Sequence, residues 1–151
     1  MGDPAGVGPE VIVGAWRNQQ IHDVARPVVL GHPEIMRRAA RLLKCPLKII
    51  GLSSSSSLRS VDAGPGVMSC VNVCNDGVLN LPIGHSAAGG EAAYRAVRFA
   101  ADLALERRVG GIVTAPLSKA ALHAAGHKYP GHTELLAEIC GVNEFAMMLY
   151  L

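Results

Sequence analysis

The sequence predicts a three-layer α/β/α fold around a mainly parallel sheet, and three observations carry that reading. Short apolar runs alternate with amphipathic segments, the order a parallel sheet with covering helices requires. Half of the 151 residues are hydrophobic and only 17% are charged, which argues against disorder and for a real core. Aromatic residues make up just 4%, a poor supply for the cross-strand aromatic pairs of a β-sandwich.

Each element has a local reason. Segment 8–17 opens with Gly8-Pro9-Glu10, placing Pro in the first turn of a helix and an acid at its positive end. Residues 27–31 are a short apolar run ending in Gly31, a buried strand. His32-Pro33-Glu34 opens a helix through Lys44, with Ile35, Met36, Ala39, Leu42 and Leu43 on its apolar side. Residues 47–51 form the next strand, so strand, helix and strand follow in the order of a parallel unit. The serine run 53–57 and Ala63-Gly64-Pro65-Gly66 read as surface loop. Residues 67–74 alternate weakly as a strand, which Asn75-Asp76-Gly77 ends.

Gly89-Gly90-Glu91 leads into the longest periodic segment, through Arg108. Its apolar face predicts packing on the sheet through Ala93, Val97, Ala100 and Ala104. After Gly110-Gly111 come a strand at 112–115 and helical pieces at 118–125 and 133–140, each stopped by Gly. An apolar strand at 145–151 closes the chain, and there is no internal repeat.

Composition also excludes function classes. The net charge is +2, with acids and bases interspersed and no basic stripe or aromatic platform, so nucleic-acid binding is disfavoured. No apolar run approaches the length of roughly 18 residues that a membrane-spanning helix needs. Cys70 and Cys74, four apart in the predicted strand, would share a face. Neither they nor Cys45 and Cys140 have the spacing of a zinc clip, so all four read as reduced thiols. Without a secretion signal, that points to the cytoplasm.

Three motifs bear on chemistry. Gly2-Asp3-Pro4-Ala5-Gly6-Val7-Gly8-Pro9-Glu10 is a glycine-rich turn feeding a helix. It lacks both the Lys of a phosphate loop and the third Gly of a dinucleotide fingerprint, which favours a plain tight turn. Thr114-Ala115-Pro116-Leu117-Ser118-Lys119 leaves polar groups at the carboxyl end of a strand, where open α/β sheets bind ligands. Lys119 has two readings, a compact cation for phosphate or carboxylate and a solvated first-turn residue beside a Ser118 cap. Pro130-Gly131-His132-Thr133-Glu134 sets His132 in a turn, either towards a ligand or as a plain turn residue with Thr133 as the cap. His123 and His127 are four apart without the Glu of a zinc-protease helix, and read as structural.

Taken in order, these phrases resemble the 4-hydroxythreonine-4-phosphate dehydrogenase family. The resemblance runs through Tyr129, Ser86-Ala87-Ala88-Gly89 and Met147-Met148-Leu149, and Ser118 stands where relatives often have Asn. It implies a fold like isocitrate and isopropylmalate dehydrogenases, a homodimer with active sites between subunits, NAD or NADP, and a divalent metal of the zinc, magnesium, manganese or cobalt class. His132 and Thr133 match the family's substrate-contacting pair, and Lys119 joins them as a weaker candidate at the carboxyl ends of strands 112–115 and 145–151. The implied reaction oxidises 4-phosphohydroxy-L-threonine to a 3-oxo acid that decarboxylates, a step of pyridoxine biosynthesis. Similar paralogues oxidise D-threonate or D-erythronate 4-phosphate, and more distant ones aromatic cis-dihydrodiols.

The resemblance further implies that residues 1–151 are the N-terminal part of a two-domain subunit, inactive alone, with the metal-binding histidines beyond residue 151. None of His22, His32, His85, His123, His127 and His132 matches those positions. The reading from another class is a non-catalytic ligand-binding module, which would bind no nicotinamide.

Overall fold

The computed structural model describes residues 1–53, 58 and 61–149. The order is α1 (Gly8–Trp16), α2 (Gln19–Val24), β1 (Val29–Gly31), α3 (Pro33–Leu42), β2 (Lys48–Leu52), β3 (Ala63–Gly64) and β4 (Val67–Asn72). A 3-10 turn (Asp76–Asn80), α4 (Ala87–Leu105), α5 (Lys119–Ala124) and α6 (His132–Cys140) complete it. The sheet runs β1-β4-β2, both pairings parallel, with β3 antiparallel on β4. This is the expected class, helices packed on a mainly parallel sheet. Serines 54–57 of the predicted loop lie outside the described residues.

The central strand β4 is buried along its middle, because parallel strands with covering helices have no solvent face. Its Met68 and Cys70 join Ile35 and Met36 of α3, Val29 of β1 and Ile49 of β2 in the core. Trp16 is buried in the same cluster, and its indole N–H donates to Gly64 O at 2.8 Å and Val67 O at 3.1 Å. Those bonds satisfy its polar edge and fasten α1 to the β3–β4 turn. His32 caps α3, its Nδ1 accepting from Glu34 N–H, so the neutral ring carries its proton on Nε2, towards Asp76 Oδ1 at 3.1 Å. His32 is thereby a buried structural histidine.

Several expectations need correction. Ile35, Met36 and Ala39 are buried, but Leu42 and Leu43 stand exposed, because α3 ends there and its last turn passes the core. Helix α2 was not foreseen: Asn18 caps it, and six residues carry too little periodicity to announce it. β4 stops at Asn72, so Cys74 lies past the strand, half-buried, while Cys70 is fully buried within it. All four cysteines are free. Burial pushes the Cys70 thiol up to about 12 and the Cys74 thiol up to about 11, so both are protonated at neutral pH.

Residues 112–115 belong to no helix or strand, and residues 145–149 likewise; 150–151 lie outside the described residues. A strand is a relation between neighbours, and neither segment pairs with a described strand. Phe145, Met147, Met148 and Leu149 are consequently exposed. Among the described residues no helix is long and apolar enough to cross a membrane.

Helix α4 forms as predicted, capped by Ser86, whose Oγ accepts from Gly89 N–H. Ala93 and Val97 are buried, whereas Ala100 and Ala104 are half-buried. The helix touches β1, but its most extensive contact is with α5. The crossing is set by Gly90, where a Cβ would come within 2.0 Å of Ala121 O. Gly90→Ala should therefore destabilise the fold by about 2 kcal/mol, despite alanine's higher helix propensity. Urea unfolding followed by Trp16 fluorescence checks it, and an unchanged midpoint would show that α4 and α5 separate easily.

Candidate active site

The site begins at the glycine turn. Gly2 has φ +72°, and a Cβ there would lie 2.2 Å from Pro116 O, so only glycine fits. Asp3 N–H donates to Pro116 O at 3.1 Å, and Met1 N donates to Leu30 O at 2.8 Å. Residues 1–3 thus bridge β1 and the segment ending at Pro116. Asp3 is 3% exposed; its Oδ1 accepts from Ala5 N–H at 2.9 Å and its O from Gly6 N–H at 3.1 Å. These turn amides are satisfied from within, so the motif works as a tight turn rather than an anion cradle.

Asp3 was not singled out from sequence, although Asp-Pro-Ala-Gly carries turn chemistry that marks it. A Cβ on Gly89 would lie 2.8 Å from Asp3 Oδ1. The buried carboxylate therefore sits against the first turn of α4, where the helix dipole favours negative charge.

Pro116 turns the chain towards α5, and Ser118 caps that helix, its Oγ accepting from Ala121 N–H at 3.1 Å. The same Oγ lies 2.6 Å from His85 Nδ1. The hydroxyl keeps both a proton and a second lone pair for this contact, so the His85 tautomer sets which partner donates. The pair joins positions 33 residues apart, and no local signal in the sequence announces it. Lys119 is exposed and makes no ion pair among the described residues.

Helix α6 differs from the predicted piece. It starts at His132, its N-cap is Gly131, and no side chain caps it, so the reading of Thr133 as cap is overturned. Gly141, at φ +67°, ends it. A Cβ built on Gly131 would stand 4.0 Å from Lys119 Cε and 3.6 Å from Glu134 Oε2. Lys119 and Glu134 thus both lie close to the turn that carries His132, and Thr133 follows, half-buried.

His132 lines a cavity of about 360 Å³, with Leu30 on the β1 side, Ile112 and Thr114 opposite, and Ala96 and Val97 of α4 along another wall. Lys119 and Thr133 do not line it, so this cavity is not the cleft that His132, Thr133 and Lys119 are expected to share. The walls are mostly apolar, and His132 Nε2 is buried there without a partner among the described residues. Burial, and secondarily the Met1 ammonium, lower the His132 pKa below the ordinary histidine value. The imidazole is neutral at pH 7, able to donate through one nitrogen and accept through the other. Among the described residues no three His, Cys, Asp or Glu side chains converge as a metal site.

Comparison with known proteins gives a consistent result. The model of the family described as pyridoxal phosphate biosynthetic protein PdxA matches residues 23–151. The 4-hydroxythreonine-4-phosphate dehydrogenase of Trichlorobacter lovleyi is 43% identical over 99% of this chain and 44% of its own length. The D-threonate 4-phosphate dehydrogenase of Cupriavidus necator is 40% identical, over 99% and 44% respectively. A solved 4-hydroxythreonine-4-phosphate dehydrogenase from Burkholderia phymatum superposes with TM-score 0.85 and 38% identity, over 95% of this chain and 43% of that one. One from Klebsiella pneumoniae gives TM-score 0.86 and 36% identity, over 100% and 45%. The chain therefore spans less than half the length of these relatives.

The depressed pKa of His132 has a pH consequence. Unfolding restores the ordinary value of 6.5, so the unfolded state binds the proton more tightly. The stability that the neutral ring contributes is complete above that value and declines as pH falls towards the folded-state pKa. Histidine-resolved NMR should place the His132 midpoint below 6.5; a midpoint at or above it would show that the ring is solvated.

Proposed function

The chain belongs to the family of the pyridoxal phosphate biosynthetic protein PdxA, and on that premise we propose that the whole protein is a nicotinamide-dependent dehydrogenase of a phosphorylated hydroxy acid. Residues 1–151 are read as the N-terminal part of a two-domain subunit that works as a cytoplasmic homodimer. The substrate we infer is 4-phosphohydroxy-L-threonine, in agreement with the name of the Trichlorobacter lovleyi relative. D-Threonate 4-phosphate, or its D-erythronate counterpart, is the second reading, supported by the 40% identity to the Cupriavidus necator enzyme.

The observation that carries the reading is the His132 imidazole, its buried Nε2 unpartnered among the described residues at the head of α6. A neutral imidazole in a partly desolvated position is suited to a hydrogen bond with a substrate hydroxyl or phosphate oxygen, where low dielectric strengthens the bond. Thr133, next in the chain, adds a hydroxyl that both donates and accepts. Lys119, close to Gly131, supplies a compact cation for the phosphate or carboxylate.

The oxidation removes a proton from the substrate hydroxyl and a hydride from its carbon, and the 3-oxo acid so formed loses carbon dioxide. The oxidised nicotinamide, NAD or NADP, supplies the hydride acceptor when bound. The described residues do not make a metal site, and the ligands of the divalent metal are assigned beyond residue 151.

The test is a steady-state assay of the full-length protein with both phosphorylated acids, NAD and NADP, and added divalent metal. One acid should support reduction of the nicotinamide. His132→Ala should lower kcat/KM at least about tenfold, the loss of a hydrogen bond to a charged ligand. Lys119→Ala should act mainly on KM. No turnover with either acid, together with no nicotinamide binding, would overturn the proposal in favour of a ligand-binding module.

A further inference from the structure

His127 and His123 have no part in the function proposed above, yet both are engaged in the connection that leads from α5 into the His132 turn. The His127 ring stacks on Tyr94 of α4, with centroids 3.6 Å apart and planes 11° from parallel. Its Nε2 lies 2.8 Å from Glu91 Oε2, also on α4. The carboxylate accepts, so Nε2 donates and carries the proton. Glu91 Oε1 accepts in turn from Arg95 Nε at 2.6 Å. His127, first from its bond, and then Arg95 hold the Glu91 carboxyl below its usual range, so it stays ionised as their acceptor.

The rest of the connection is fastened by its own bonds. Tyr129 N–H donates to His127 O at 3.1 Å, and the Tyr129 hydroxyl donates to Glu138 Oε1 of α6 at 2.8 Å. His123 Nε2 lies 2.9 Å from Tyr129 O, which makes it the donor. The stretch between Gly126, at φ +92°, and Gly131 is therefore tied on one side to α4 and on the other to α6. No side chain caps α6, which lies against α4, and this connection delivers the chain into its first residue. That first residue is His132.

We propose that His127 is a positioning residue for the site: by stacking on Tyr94 and bonding Glu91, it fixes the α5–α6 connection and so the place of the His132 imidazole. The inference rests on the reading of His132 as a substrate contact. Positioning of this kind has large kinetic leverage, because a shift of about 1 Å in a contacting group can lower the rate roughly a hundredfold.

The experiment is a double-mutant cycle on the full-length enzyme, pairing His127→Ala with His132→Ala. His127→Phe, which keeps a stacking ring, and His127→Gln, which keeps a donor, serve as graded variants. His127→Ala should lower kcat/KM for the phosphorylated acid at least about tenfold, with KM for the nicotinamide unchanged. It should cause little further loss once His132 is already alanine, and Phe or Gln at 127 should restore part of the activity. Full activity in His127→Ala, or losses that simply multiply, would overturn the positioning role while leaving the His132 assignment intact. If His132→Ala is itself fully active, that assignment fails and the positioning role with it. Should His127→Ala not fold, the same cycle run with His127→Phe decides the matter by the same criteria.

Discussion

Much of this molecule depends on one close approach, the passage of the Gly2 backbone over the carbonyl of Pro116. A Cβ at Gly2 would lie 2.2 Å from that oxygen, and the neighbouring Asp3 amide donates to it. On the other side Met1 bonds to Leu30 of β1. Three residues thereby connect the edge of the sheet with the segment that delivers Ser118 and Lys119 to α5. The same crossing seats the buried Asp3 carboxylate against the start of α4. The crossing ties the end of the 112–116 segment to the chain start, and that segment lines the same cavity as His132.

Much of the fold was legible because its causes are local. Pro33 and Glu34 announce α3, Gly141 stops α6, and the apolar face of α4 repeats for five turns' worth of chain. What escaped is relational. Residues 112–115 and 145–149 have the composition of strands, but a ladder needs a neighbour, and neither segment pairs with a described strand. Leu42 and Leu43 fit the periodicity of α3 yet stand beyond the core it packs on. Periodicity reports a face and cannot report where the partner ends.

The candidate site divides the same way. His132, Thr133 and Lys119 were singled out by their phrases, and the fold brings Lys119 and the Gly131 turn into contact distance. The cap of α6 was misread because Thr133 has the chemistry of a cap, while the extended backbone of Gly131 takes that place. Asp3 and the Ser118–His85 pair had to be seen in three dimensions. His127 reads as structural from its spacing, but its partners, Tyr94 and Glu91 on another helix, are visible only in the fold.

The strand order carries a consequence for how the chain is made. β1 and β2 are both bonded to β4 and not to each other, yet they emerge from the ribosome before it. Until residues 67–72 have been synthesised, neither earlier strand can form its ladder with β4. Chains grow at roughly 5–20 residues per second, so the wait after β2 lasts on the order of a second or more. Nascent chains stalled just short of β4 should be the ones most in need of a chaperone, and the arrival of that one strand should release them.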